Sequence, residues 1–124
     1  MIVEDNPILR ESIMQMLTHL GYATLEVSNG TEALSVLAEI ETPPAIILSD
    51  VVMPQMDGLE LSQAIAERYP EQKMLFMTGY PFQEDRAGMG KVPWIQKPFD
   101  SDHLTTKLRA VLDESSRSPI IKKV

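Results

Sequence analysis

The chain has 124 residues, a formal net charge of −7, 44% hydrophobic and 23% charged residues, which suits one domain with a single buried core. It contains no cysteine, which excludes disulfides and thiolate metal sites and points to the cytoplasm; no apolar run reads as a signal peptide or a bilayer span. The acidic balance argues against direct nucleic-acid binding and for a basic partner or a divalent cation, and the eight methionines read as core filler.

In chain order, Met1 to Val3 is the visible end of an apolar strand running into Glu4 and Asp5. Three residues are few for a central strand, so Met1 need not be the natural start. Asn6 is placed to cap a helix from Pro7 to about Leu20, with Ile8, Leu9, Ile13, Met16, Leu17 and Leu20 on one stripe and Gly21 as its stop. Tyr22 to Val27 alternates and predicts a less buried strand. Thr31 to about Glu41 predicts a second helix, with Ala33, Leu34, Leu37 and Ile40 turned inward, and Thr42-Pro43-Pro44 ends it.

The stretch AIILSDVVMPQMDG, Ala45 to Gly58, is the organising one. An unbroken apolar run reaches Ser49 and Asp50 and is then cut by Pro and Gly, the pattern of a strand buried on both faces. Leu59 to Tyr69 predicts a third helix with Leu61, Ile65 and Ala66 in register, closed by Pro70. Lys73 to Thr78 predicts a fourth strand. Gly79 to Val92 leaves room only for a shortened fourth helix, Glu84 to Met89, and Pro93 to Gln96 for a short fifth strand before Lys97-Pro98. Asp100 or Ser101 caps a last helix to about Asp113, carrying Leu104, Leu108, Val111 and Leu112; residues 1–113 form the domain and 114–124 a loose tail.

Strands alternating with helices predict an α/β fold: a doubly wound, five-stranded parallel sheet with helices on both faces. Ligands of such sheets sit beyond the carboxyl ends of the strands. Those ends carry Glu4-Asp5, Asp50, Thr78 and Lys97, so three carboxylates, a hydroxyl and an amine converge. Packed carboxylates repel unless a cation intervenes, and an all-oxygen set selects a hard ion such as Mg²⁺. Plainer readings exist for each residue. Asp50 could cap a loop, Glu4-Asp5 could be solvated acids favoured by a helix N-terminus, Lys97 could be a surface lysine, and Thr78-Gly79 an ordinary turn. His19 and His103 have no partner residues nearby in sequence and read as surface groups.

Taken together, Glu4-Asp5, Asp50 with Met53-Pro54 and Asp57-Gly58, Thr78-Gly79 and Lys97-Pro98-Phe99 resemble the receiver domain of two-component response regulators. The resemblance spans nearly the whole chain and implies the flavodoxin-like strand order 2-1-3-4-5. It implies Asp50 as phosphoacceptor from a phosphohistidine of a sensor histidine kinase or histidine phosphotransfer domain. It also implies Mg²⁺ held by Asp5, Asp50 and the Val52 carbonyl, with Glu4 acting through water. Lys97 and Thr78 would contact the phosphoryl group, the Lys97-Pro98 bond would be cis, and Thr78 with Trp94 would form the switch. Signals would be read, or a homodimer formed, on the face of the fourth helix, fifth strand and last helix. Trp94 replaces the Tyr, Phe or His more usual there and reads equally as packing. Val52 and Tyr80 lack the polar groups that promote water attack, so self-dephosphorylation is expected to be slow.

Rival functions are weaker. A haloacid dehalogenase-like phosphatase needs a second Asp at position 52, which is Val52; no Gly-rich phosphate loop follows a strand; and an interaction module without phosphorylation would lack Asp50, Asp5 or Lys97. No DNA-binding output domain fits after Asp113. The abrupt start and the Thr78-Gly79-Tyr80 and Lys97-Pro98-Phe99 pieces favour the receiver of a hybrid sensor kinase over a stand-alone regulator.

Overall fold

The computed structural model describes residues 1–53, 56–79 and 92–123, from residue 114 onward as backbone only. Its elements alternate: β1 (Ile2–Val3), α1 (Pro7–His19), β2 (Glu26–Val27), α2 (Gly30–Glu39), β3 (Ile47–Asp50), α3 (Gly58–Arg68), β4 (Met74–Thr78), β5 (Trp94–Gln96) and α4 (Ser101–Lys123). All strands pair in parallel in the order β2-β1-β3-β4-β5, the doubly wound sheet expected from the sequence.

Side chains alternate along each strand and so feed two cores. Val3, Ile47, Met74 and Phe76 pack with Ala33 and Leu37 of α2 and Leu61 and Ile65 of α3. Ile2, Leu48, Leu75, Met77 and Ile95 pack with Ile13 and Leu17 of α1 and Leu104 and Leu108 of α4. Because both faces are covered, β3 and β4 are buried at every position, which is why their sequences are apolar without alternation.

The helix ends follow local chemistry. The Asn6 side chain accepts from the Ile8 and Leu9 N–H groups, with Pro7 in the first turn; Gly21, at φ 97°, turns the chain out of α1. Asn29 accepts from Glu32 N–H, and Asp57 and Glu60 form a reciprocal capping box. Asp100, rather than Ser101, caps α4 by accepting from His103 N–H at 2.8 Å.

Two elements differ by more than two residues from their expected bounds. The second strand shrinks from Tyr22–Val27 to Glu26–Val27, because its neighbour β1 offers only Ile2 and Val3 for pairing. The last helix, expected to reach about Asp113, has bounds Ser101–Lys123. The shortened fourth helix at Glu84 to Met89 lies outside the described residues. No helix among those described is long and apolar enough to cross a membrane.

Candidate functional site

The carboxyl edge of the sheet gathers the polar residues. Asp50 ends β3, Thr78 ends β4, Lys97 follows β5, and Glu4 and Asp5 follow β1. Glu4, Asp50 and Thr78 are buried, at 1%, 8% and 6% exposure, among residues whose other buried neighbours are almost all apolar. Asp5 is exposed at the rim. One carboxylate oxygen from each of Glu4, Asp5 and Asp50 falls within 4.8 Å of the others.

Lys97 binds this group into one unit. Its Nζ donates to Glu4 Oε1 and to Asp50 Oδ2, each at 3.2 Å, from a side chain that is 19% exposed. Lys97 N–H continues the ladder to Thr78 C=O at 2.7 Å, which starts its side chain at the strand end beside Asp50; the Lys97–Pro98 bond is cis. The other oxygen of Glu4, Oε2, accepts from Asn6 N–H at 3.2 Å. Burial nevertheless pushes the Glu4 carboxyl up to about 7; the Asn6 N–H pulls against this, the Asp50 charge and a hydrogen bond with Asp5 add to it, and Lys97 pulls against it. The site thus holds more negative charge than its one amine offsets. That is the electrostatic condition for a hard cation, and an oxygen-only donor set fits Mg²⁺.

The loop beyond Asp50 carries Val52, 63% exposed, and Met53, which returns to the core. The Gly58 N–H donates to Val51 C=O at 2.7 Å, bringing the start of α3 against the end of β3. A Cβ on Gly58 would stand 2.6 Å from the Asp50 carbonyl oxygen and 2.9 Å from Val51 Cα. Gly58 is therefore a residue on which the placement of Asp50 depends; in the sequence it reads as turn punctuation and as part of the Asp57-Gly58 piece of the receiver resemblance, without this role. Its place directly after Asp57, eight residues beyond Asp50, is the signal in the sequence that could have exposed it.

Trp94 is half-buried and packs on the α2–α3 side of the sheet, in register with Phe76. His19 and His103 are both exposed. Tyr80 and Pro54 lie outside the described residues.

Residues 1–109 match the family of the response regulator receiver domain, and the chain belongs to that family. It is similar to the sensor kinase CckA of Brucella abortus, 32% identical over 92% of this chain and 12% of that protein. It is equally similar to the response regulator MprA of a Mycobacterium species, 32% identical over 98% of this chain and 55% of that protein. The chain thus spans about half, or far less, of the length of these relatives. Among solved structures, the signal receiver domain of a histidine kinase from Syntrophus aciditrophicus superposes with a TM-score of 0.81 at 30% identity, covering 94% of this chain and 91% of that one.

Proposed function

We propose that this receiver domain accepts a phosphoryl group on Asp50 from the phosphohistidine of a histidine kinase or phosphotransfer domain, with Mg²⁺ held by Asp5 and Asp50 and assisted by Glu4. The observation that carries the reading is the Lys97 amine 3.2 Å from both Glu4 and Asp50, at the end of a strand where three carboxylates crowd together. When bound, Mg²⁺ would neutralise that crowd and the developing charge on the phosphoryl oxygens.

The chain's own groups do the remaining work. An Asp50 carboxylate oxygen attacks phosphorus, the O–P bond forms, the N–P bond breaks, and the departing imidazole takes a proton from water. Lys97 exchanges its Asp50 contact for a phosphoryl oxygen, and the Thr78 hydroxyl, one strand over, donates to another. The Val52 carbonyl, two residues beyond Asp50, is the further metal donor in this reading. In this reading the donor histidine belongs to the partner; His19 and His103 are exposed, and neither is among the residues gathered with Asp50.

Intact mass after treatment with acetyl phosphate and Mg²⁺ tests this. The wild-type chain is expected to gain one phosphoryl group, and Asp50→Asn none, while His19→Ala and His103→Ala still gain it. Trp94, the one tryptophan, supplies an emission readout of the same step. Uptake by Asp50→Asn, or none by the wild type, overturns the reading.

A further inference from the structure

The side chains of Glu4 and Asp50 are each fixed by named partners, but Asp5 is exposed and gains nothing from burial. Beyond its hydrogen bond with the Glu4 side chain, its direction is set by the peptide that carries it. That peptide is held from one side: Arg10, one turn into α1, donates Nη1–H to the Glu4 carbonyl oxygen at 2.7 Å. The guanidinium is braced in turn by Glu26 of β2, whose Oε1 lies 3.8 Å from Nε, and its side chain is only 22% exposed. We propose that Arg10 is a positioning residue for the cation site: by clamping the Glu4–Asp5 peptide, it aims the Asp5 carboxylate at the point shared with Asp50.

The proposal rests on the reading of the acidic cluster as a Mg²⁺ site. Geometry and charge make opposite predictions about Arg10. As a charge, the guanidinium repels the incoming cation, so its removal would tighten Mg²⁺ binding. As a clamp, its removal loosens binding, and groups that orient metal ligands are typically worth about 10–100-fold in affinity. The fork of donors matters as well: a lysine keeps the charge and can reach the carbonyl, but not while also facing Glu26 through a rigid plane.

The test is calorimetric titration of Mg²⁺ into the wild-type chain, Arg10→Gln and Arg10→Lys, with thermal unfolding of each without Mg²⁺. Arg10→Gln is expected to weaken Mg²⁺ about tenfold, and Arg10→Lys to recover part of that loss. Unchanged or tighter binding by folded Arg10→Gln overturns the proposal, even if the variant is less stable. Should Arg10→Gln not fold, wild-type affinity in Arg10→Lys overturns it. Failure of the wild type to bind Mg²⁺ sinks the reading of the site instead, so the two failures are distinguishable.

Discussion

The two edges of the sheet are built on opposite terms. At the carboxyl edge, the buried acids Glu4 and Asp50 share one amine, that of Lys97. At the opposite edge, a cavity of about 290 Å³ opens among Met1, Leu17, Leu25, Ile46, Leu48 and Leu108, with no charged side chain in its lining. This hollow is lined without charged side chains, whereas the carboxyl edge holds three carboxylates and an amine. What marks the functional edge is the convergence of strand ends carrying unlike polar groups, and the apolar edge contributes only packing.

That contrast can be broken in graded steps. The largest effect on stability is expected at the apolar edge: Leu48→Ala removes a side chain only 1% exposed and should cost about 2–5 kcal/mol in denaturant unfolding. Phosphoryl uptake by the folded fraction should be unchanged; a loss there would mean the two edges are coupled.

Next comes the polar edge. Glu4 titrates at about 7 in the folded chain against an ordinary 4.5, so between those pH values the folded state holds a proton that the unfolded state has released. Stability should therefore decline as pH rises from about 4.5 to 7 and level off above, by roughly 3 kcal/mol in the ion-free protein. Glu4→Gln should remove that slope, as read from unfolding midpoints across the pH range. By the same logic Mg²⁺ affinity should climb from pH 6 to 8 in the wild type.

The smallest step is Gly58→Ala. With 2.6 Å to the Asp50 carbonyl, the added methyl must push α3 from β3, at a cost of about 1–3 kcal/mol. Unlike Leu48→Ala it should also slow phosphoryl uptake, because the displaced backbone is that of Asp50. Equal slowing by both substitutions would erase the distinction between the edges.

The residues most readable from sequence were those governed by local rules. Asn6, Pro7 and Gly21 bound α1, and the unbroken apolar runs of β3 and β4 report burial on both faces. The retreat of the second strand to Glu26–Val27 was not readable, because the length of a strand depends on what its neighbour can pair. The site divides in the same way. Glu4, Asp5, Asp50, Thr78 and Lys97 could be gathered from their places at strand ends. The lysine's contact with Glu4, the Gly58 approach and the Arg10 clamp arise only when separate elements are packed, and no periodicity encodes them.

The Lys97–Glu4 pair joins residues 93 positions apart. In the order of synthesis both acids precede their counter-charge. Until β5 docks, Glu4 and Asp50 lack the Lys97 amine and must stay hydrated or screened by ions, so the crevice is complete only once β5 has joined the sheet.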